Sequence, residues 1–282
     1  MSRPHASRLR DGRLHLQHGP IDLVIEAFGA PHEVEAAYAQ AFERFGDVLT
    51  GLVAELPTLR QPVGAAHPLL RGPVARRMAR AVWPHRTVYI TPMAAVAGSV
   101  ADEILAAMKE GRTLDKAYVN NGGDIAFHLA PGQELRAGIF VDALDGVARL
   151  IHDRPVRGIA TSGWGGRSFS RGIADAVTIL AKDAASADAA ATIVGNAVDV
   201  DHHLIVRHPA RMLDPDSDLG DLQVTTAVGA LPEEVVELAL DRGAAEARRL
   251  QRLGLIEAAA LSLRGTWRIE GTGALARQAE AG

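Results

Sequence analysis

Two polar side chains stand out in the alanine-rich stretch ASADAAATIVGNA, residues 185–197. Asp188 and Thr192 are four residues apart, which places both on one face of an α-helix with Cβ atoms roughly 5–6 Å apart. A carboxylate and a hydroxyl at that spacing could share one small hard cation, because Mg²⁺ prefers oxygen ligands. In a purely structural alternative, Ser186 caps the helix, Asp188 interacts with the helix dipole and Thr192 bonds back along the helix. The spacing alone leaves both interpretations open.

A second candidate is the segment NNGGD, residues 120–124. The Asn-Gly pair predicts a tight hairpin turn. Paired glycines also allow a backbone to approach a ligand closely. We therefore expect a hairpin here and take Asn121, Gly122 and Gly123 as candidate cofactor-binding residues.

A third candidate is the glycine-rich segment TSGWGGRSFSRG, residues 161–172. It matches neither the GxxxxGK[ST] loop of nucleoside triphosphatases nor the GxGxxG dinucleotide motif. One interpretation is a solvated loop. The other is an anion site formed by backbone N–H groups near residues 163–166, with Arg167 or Arg171 beside it. Thr161, Ser162 and Gly163 are the binding candidates of this segment.

A fourth segment, DVDHHLIVRHP, brings histidines and carboxylates together. Such groups could bind zinc or iron. Adjacent His202 and His203 are, however, expected to point to opposite faces of a strand, so a polar loop leading into a strand is the competing interpretation. The candidate ligands are Asp199, Asp201, His202, His203 and His208.

Composition limits the classes of function. The chain has 282 residues, 48% of them hydrophobic, which is enough for a sizeable core. A formal charge of −4 without a Lys/Arg-rich block argues against a nucleic-acid partner, and no apolar run is long enough to cross a membrane. Because the chain has no cysteine, any metal must bind to oxygen or imidazole. We expect a cytoplasmic protein.

The order of the elements predicts an α+β fold. Residues 13–28 alternate around Gly19-Pro20 and predict a hairpin, followed by a helix through residues 34–52. Further helices are expected from Ser99, which could cap the first of them, to Gly111, over 185–197 and near 232–253. Many strands with few helices favour α+β over a βαβ alternation. The expected strands are 117–120, 124–130, 136–143, 147–152, 158–161 and 174–181, and the expected organisation is one domain over 11–271 with flexible ends at 1–10 and 272–282.

The motifs, taken in order, resemble those of a known family. The segments are AAVAGSVADEI, YVNNGGDI, IATSG, GIADAVTIL and SADAAAT, between residues 94 and 192. They resemble the ApbE family of FAD:protein FMN transferases, whose members carry A-I-A-K-G-Y-A-V-D, V-N-x-G-G-N/D, A-T-S-G, H-x-x-D-P and A-D-x-x-x-T. The resemblance is closer still to a group of ApbE-related bacterial and archaeal proteins and covers most of the chain. It implies an ApbE-like fold with mixed or antiparallel sheets packed by helices.

The resemblance also implies a ligand and a reaction. In the family, the Asp and Thr of A-D-x-x-x-T bind Mg²⁺ beside the FAD pyrophosphate, which corresponds to Asp188 and Thr192, with the Ala97 carbonyl as the third protein ligand. Gly98 and Asp102 correspond to cofactor-binding positions. A Thr or Ser of an acceptor protein attacks, FMN is transferred and AMP leaves. A homodimer is a further expectation.

Departures from the family pattern leave the chemistry open. The Lys-Gly-Tyr of the transferases is Ala97-Gly98-Ser99 here, and the His and Pro of H-x-x-D-P are Gly172 and Ala176. Losing an imidazole removes the obvious general acid or base, a contribution of typically about 10²–10⁴-fold, and leaves Asp175 as the candidate catalytic residue. The hypotheses are an FMN transferase or FAD-cleaving enzyme, a non-catalytic flavin carrier or cofactor-assembly factor, and a different enzyme with Asp175 or Asp124 as base.

Overall fold

The computed structural model describes residues 3–140, 144–271 and 275–277. Within it the chain forms two compact units. The first unit contains residues 1–135, 151–160 and 181–189, and the second contains residues 136–150, 161–180 and 190–282. The single domain expected over 11–271 therefore stays a prediction, and each unit is described by itself.

Strands and helices follow in an order that has no regular βαβ alternation, which confirms the α+β class. Two short 3₁₀ helices, Trp83–His85 and Pro92–Ala95, lie between the second and third α-helices. The elements are β1 His5–Arg8, β2 Leu14–His18, β3 Ile21–Gly29, α1 Pro31–Leu59, α2 Pro73–Val82, α3 Val96–Lys109, β4 Leu114–Asn121, β5 Asp124–Leu129, β6 Glu134–Phe140, β7 Leu144–Ile151, β8 Gly158–Ser162, β9 Ala176–Ala181, α4 Ala184–Ala197, β10 Ile205–Pro209, α5 Ala210–Leu213, β11 Gln223–Val228, α6 Glu233–Arg252, β12 Ala258–Leu263, β13 Thr266–Glu270 and β14 Leu275–Arg277.

The first unit is built on an antiparallel sheet with the strand order β1-β2-β3-β4-β5-β8. Along β3 every second side chain is buried, from Ile21 to Ala27, as expected for a sheet with one face on a core. Buried side chains of α1 and α3, among them Phe45 and Ile104, pack in the same core as this sheet. The core therefore holds α3 in place over the strands that carry the NNGGD segment.

The predicted NNGGD turn is a two-residue hairpin. Asn121 pairs with Asp124, and the two glycines between them have φ values of +65° and +111°. These left-handed conformations favour glycine. The turn thus fixes one residue on each side of it, Asn121 at the end of β4 and Asp124 at the start of β5.

The second unit contains three groups of strands. β12 pairs antiparallel with both β9 and β13, β10 pairs with β11, and β14, β7 and β6 form a three-stranded sheet. Helix α6 buries Val236, Leu240 and Leu250 at helical spacing and contacts β12 and β13. This is the arrangement that the apolar spacing of residues 232–253 predicts.

Local predictions at the ends of elements differ from the structure in three places. Leu275–Arg277 pairs with β7 as a strand, where the sequence predicted a flexible tail. His5–Arg8 pairs with β2 as a strand, where the sequence predicted a flexible N-terminus, and Arg8 lies 4.2 Å above the Tyr38 ring. Ser99 does not cap a helix, because α3 begins three residues earlier and Ser99 is buried within it. Residues 141–143 of the predicted strand 136–143, and residues 272–274 and 278–282 of the predicted tail, lie outside the described residues.

Gly98 is the residue of α3 that lies directly against α4. A Cβ built on Gly98 would overlap the backbone of Ala184 and Ala185. Any side chain at this position would therefore push the first turn of α4 away from α3. The glycine is required by close approach, since its φ is not in the left-handed region.

We expect Gly98→Ala to lower the free energy of unfolding by about 1–3 kcal/mol, the usual cost of overpacking. Gly46→Ala is the matched control, because Gly46 also lies inside a helix of this unit and a Cβ there would meet no atom within 4 Å. That control should raise stability by roughly 0.5–1 kcal/mol, since alanine is the better helix former. Urea unfolding of both variants measures the difference, and equal effects would show that α3 and α4 are not in close contact.

Candidate active site

The candidate site lies where α3 and α4 each place an aspartate against the first turn of the other helix. Asp188 on α4 accepts a hydrogen bond from the Gly98 N–H at 3.0 Å, and the Ala97 backbone also hydrogen-bonds to it. Both amides belong to the first turn of α3, where N–H groups have no partner within their own helix. Asp188 therefore caps a helix other than its own.

Asp102 makes the converse contact from α3. Its two carboxylate oxygens accept from the N–H groups of Ala184 and Ala185, at 3.1 and 2.9 Å. Asp183 accepts from the Ser186 N–H at 2.7 Å and is the cap within α4 itself. The alternative in which Ser186 caps α4 is therefore wrong, and the helix starts three residues earlier than a Ser186 cap would set it.

The β4–β5 hairpin brings two more polar residues to the same place. The Asn121 side-chain amide donates to the Ala97 carbonyl at 3.1 Å. The N–H of Gly123 is held by the Asn120 side chain at 2.8 Å, so the turn is fixed by its own residues. Asp124, directly after the turn, is buried and lies against Asp188.

The neighbouring Asp124 carboxyl changes the ionisation of Asp188. Burial, and then the neighbouring charge of Asp124, raise the pKa of Asp188 well above its ordinary value, against the lowering effect of the Gly98 amide. Two such groups in contact are stabilised by a shared proton or by a cation between them. Sequence reasoning named Asp124 only as a possible base. Its place after a two-residue turn, opposite Asn121, is the signal that could have placed it in this group.

The other predicted residues of α4 and of the hairpin turn lie as follows. Thr192 is partly buried in α4, one turn after Asp188 along the same helix. Gly122 is exposed in the turn and Gly123 is partly buried. Of the predicted residues, Ala97, Gly98, Asp102, Asn121 and Asp188 are therefore joined by hydrogen bonds within the first unit, directly or through the start of α4.

The glycine-rich segment belongs to the second unit. The Thr161 hydroxyl lies 2.9 Å from that of Thr178. A Cβ on Gly163 would overlap the Asp175 carbonyl, so this glycine serves close packing. Gly165, Arg167 and residues near them are exposed, which agrees with the solvated-loop interpretation of this part of the segment.

Asp175, the candidate catalytic residue, has both carboxylate oxygens in hydrogen bonds. One accepts from the Trp164 indole N–H at 3.1 Å and the other from the backbone N–H of Arg264. Arg264 has a φ of +50° in the β12–β13 turn, a conformation that is uncommon for a residue other than glycine. In this arrangement Asp175 fixes a loop and a turn.

Position 172 has no room for a side chain. A Cβ on Gly172 would overlap the carbonyl oxygen of Gly195. The Asn196 side chain, next in sequence, accepts from the Arg171 N–H at 2.9 Å. Close packing against Gly195 therefore accounts for the glycine at position 172, where the family motif has a histidine.

The segment DVDHHLIVRHP, residues 199–209, does not bring a set of metal ligands together. Asp199 forms an ion pair with Arg207, and the rings of His202 and His203 stack with centroids 4.5 Å apart. The expectation that these histidines point to opposite faces of a strand is wrong. They lie in the loop before β10, as the competing interpretation of a polar loop leading into a strand predicts. Within the described residues no three His, Asp or Glu side chains are grouped to hold a metal.

A protein-family model described as AbpE bacteria matches residues 6–269. The chain belongs to this family. The assignment confirms the resemblance seen in the order of the motifs. It covers both units, because the match extends from β1 through β13.

The names of the curated relatives of this chain state no function. A UPF0280 protein of Methanothrix thermoacetophila is 38% identical over 156 residues, 53% of this chain and 62% of that protein. A UPF0280 protein of Methanoregula boonei is 39% identical over 124 residues, 42% of this chain and 50% of that protein. The chain thus spans between half and two thirds of the length of these relatives.

Solved structures give a similar but more distant likeness. A single-residue variant of the flavin transferase ApbE of Vibrio cholerae is 12% identical, with a TM-score of 0.49 and coverage of 97% of this chain and 98% of that one. The flavinyl transferase ApbE of Pseudomonas stutzeri is 14% identical, with a TM-score of 0.44 and coverage of 96% and 94%. Among the described residues no helix has the length and apolarity to cross a membrane.

The capping of α4 by Asp102 of α3 predicts a pH dependence of stability. Burial raises the pKa of Asp102 to about 6 from an ordinary value of 3.8, so the folded state retains a proton that the unfolded state has lost. This contribution to stability is complete below about pH 3.8 and disappears as the pH rises through about 6. We expect the free energy of unfolding of the wild type to fall relative to that of Asp102→Asn over this interval.

Urea unfolding of both proteins at several pH values measures this difference. Asp47→Asn, which changes an exposed carboxylate of α1, controls for the general effect of removing one negative charge. A constant difference between wild type and Asp102→Asn would contradict the prediction.

Proposed function

We propose that this protein binds a flavin nucleotide together with Mg²⁺, with Asp188 and the first turn of α3 as the centre of the site. The observation that carries the proposal is the contact between the buried Asp124 carboxyl and Asp188, beside the backbone of Ala97 and Gly98. Membership of the AbpE bacteria family, and the names of the distant flavin transferases, supply the chemical class of the ligand. The cytoplasm is the compartment that we propose, on the sequence argument alone.

The oxygen atoms at this site fit a hard divalent cation. The Asp188 carboxylate accepts from the backbone of Gly98 and Ala97, and together with the Asp124 carboxyl it would supply the anionic donors. The Ala97 carbonyl accepts the Asn121 amide, so this predicted ligand would share its oxygen with that bond. Thr192 remains the proposed fourth protein group. Mg²⁺ commonly binds through one or two carboxylates and completes its shell with water and phosphate.

The metal and the residues of the site have different roles in this proposal. Mg²⁺, when bound, would neutralise charge on a pyrophosphate. Asp102 is a positioning residue, since it fixes the start of α4 and thereby Asp188. The remaining candidate contacts are the hairpin residues Gly122 and Gly123 and the loop residues Thr161, Ser162 and Gly163. Their part in binding the nucleotide is proposed from the family motifs.

The proposal predicts a joint effect of metal and ligand on thermal stability. A ligand that binds only the folded state stabilises it by about 2.7 kcal/mol at a hundredfold excess over Kd. We expect Mg²⁺ with FAD or FMN to raise the Tm, and Mg²⁺ or flavin alone to raise it much less. Asp188→Asn should abolish the joint shift while its remaining amide oxygen can still accept from Gly98.

Two further variants define the site along α4. Thr192→Val keeps the shape of the side chain and removes the hydroxyl, and it should reduce the joint shift. Ser186→Ala changes a polar residue of the same helix outside the proposed site and should leave the shift unchanged. If the wild type does not respond to FAD, FMN or ADP with Mg²⁺, Asp188 is a structural cap only and the proposal fails.

Two observations favour a carrier over a transferase as the form of this function. Gly172 cannot be replaced by a larger residue without moving Gly195, and both oxygens of Asp175 are engaged by Trp164 and Arg264. A general base must reach the proton that it removes. Asp175 could do so only by giving up one of these bonds.

The carrier form predicts binding without turnover. Wild-type protein with FAD and Mg²⁺ should hold the flavin while releasing AMP slowly or not at all, and no FMN should appear on a threonine-containing acceptor peptide. AMP is measured by chromatography, with Asp188→Asn as the control for metal-dependent release. Rapid release that depends on Asp188 would reject the carrier and support FMN transfer or FAD cleavage. Gly172→His is expected to destabilise the second unit and to restore no activity.

A further inference from the structure

One stretch of the first unit carries positive charge without any carboxylate. Residues 56–101 contain six arginines and no Asp or Glu, in a chain whose overall formal charge is −4. The arginines are spread along the stretch and form no consecutive basic block. Most of them lie in α2 or in the loops at its two ends. Such a local excess in an otherwise acidic chain indicates a surface that attracts an anionic partner.

Helix α2 has a buried apolar side and an exposed basic side. Met78 is fully buried, whereas Arg76 and Arg80 are exposed. These two arginines are four residues apart, so they lie on the same side of the helix. Arg77, by contrast, is partly buried and pairs with Glu103 at 3.0 Å. The exposed charge of α2 is therefore concentrated along one side.

The loops before and after α2 meet at its C-terminal end. The centroid of the Trp83 ring lies 4.9 Å from that of the His67 ring and 4.7 Å from the Arg86 guanidinium carbon. The Val63 N–H donates to the Ile90 carbonyl at 2.9 Å, which joins the two loops through their backbones. Because Trp83 directly follows α2, the helix and both loops border one another.

Two apolar side chains of these loops are exposed. Leu69, before α2, is 96% exposed, and Val88, after α2, is 52% exposed. Each is two residues from a member of the ring stack, His67 or Arg86. A single exposed apolar residue is common, but here both lie among arginines. The surface called the basic face below consists of Leu69, Arg71, Arg76, Arg80, Arg86 and Val88.

The arginines of the basic face lack a counter-charge. Within the described residues, none of these four exposed arginines forms an ion pair with an Asp or Glu. The Glu55 carboxylate adjoins the face, but its two oxygens accept from the backbone N–H groups of Arg71 and Gly72 at 2.6 and 2.7 Å. Elsewhere in this unit the exposed Arg8 pairs with Glu35 at 2.6 Å. The basic face thus presents charges that a partner can neutralise.

We propose that the basic face attaches the protein to the surface of a bilayer that contains anionic lipids. The arginines would contact lipid phosphates, which guanidinium groups match with paired hydrogen bonds, while Leu69 and Val88 enter the apolar boundary of the bilayer. Each basic residue near an anionic bilayer adds to the attraction. This attachment is interfacial and requires no membrane-spanning segment. It is also independent of the proposed flavin and Mg²⁺ site.

The same observations favour a bilayer over other polyanions. A single-stranded nucleic acid would bind the arginines, but its bases stack on open aromatic rings, and the Trp83 ring already contacts His67 and Arg86. An acidic protein would need a pocket shaped for Leu69, which is almost fully exposed. A bilayer accepts such a side chain without a preformed pocket.

Vesicle co-sedimentation in EDTA, without flavin, tests the proposal. We expect the wild type to bind vesicles of phosphatidylcholine mixed with phosphatidylglycerol, but not phosphatidylcholine alone, and added NaCl to weaken the binding. The double variant Arg76→Gln/Arg80→Gln should bind more weakly by about fivefold for each arginine. Leu69→Gln leaves the charge unchanged and should bind about tenfold more weakly, because one leucine no longer enters the apolar region.

Two adjacent residues at the end of α6 supply matched controls. Arg252 is exposed and Leu253 is 59% exposed, and both lie in the second unit, away from the basic face in sequence. Arg252→Gln and Leu253→Gln should bind the anionic vesicles like the wild type. Circular dichroism and the Tm of every variant check that the fold is retained, which is expected because all of these side chains are exposed.

Fluorescence separates insertion from attraction by charge alone. Leu69→Trp should gain blue-shifted emission on anionic vesicles and be quenched by brominated acyl chains, whereas the added tryptophan of Leu253→Trp should not respond. The proposal is overturned if the wild type does not bind anionic vesicles or if Leu69→Gln binds them equally well. Displacement of the protein from the vesicles by a single-stranded oligonucleotide or by polyglutamate, at equal concentration of charge, would also overturn it and assign the face to that polyanion.

Discussion

The reciprocal capping of α3 and α4, each by an aspartate of the other helix, is the interaction on which the candidate site depends. Each helix begins with N–H groups that its own turns cannot satisfy, and each receives an aspartate from the other, Asp188 at one end and Asp102 at the other. This reciprocal capping requires the two helix backbones to be close, which Gly98 permits. Gly158 permits the same approach from β8, since a Cβ there would overlap Asp183 and Ala184. The position of Asp188 is therefore fixed by backbone contacts on several sides.

Structural and functional interpretations of Asp188 are compatible for this reason. The Asp188 carboxylate caps α3 and also lies against Asp124, so a single carboxylate could serve both stability and cation binding. The cost is the proximity of a second buried carboxyl, which raises the pKa of Asp188. Sites that bind ions commonly retain such unfavourable local arrangements because the ligand offsets them.

Features set by neighbouring residues could be predicted from the sequence, and features set by distant ones could not. The hairpin at NNGGD and helices α1 and α6 follow from turn chemistry and apolar spacing, and the structure contains all three. The family motifs also pointed to Asp188, Gly98 and Asn121. Helix starts were wrong at Ser99 and Ser186. The N-cap residue of α4 is Asp183, which is local, but a local pattern cannot reveal that Asp102, 82 residues before Ala184, also caps this helix or that Asp188 caps α3. The engagement of Asp175 by Arg264, 89 residues away, was hidden in the same way.

The two ends of α3 carry side chains whose charges match the helix dipole. Its N-terminal end favours carboxylates and its C-terminal end favours cations, since the helix dipole is positive at the first turn and negative at the last. Asp188 and Lys109 occupy these ends accordingly. Each is also beside a like-charged group, Asp124 in one case and Arg157 in the other, an excess that the dipole offsets only in part because its effect is limited to the terminal turn. A cation bound at the first turn of α3, as proposed above, would offset the part of this excess that Asp188 and Asp124 share.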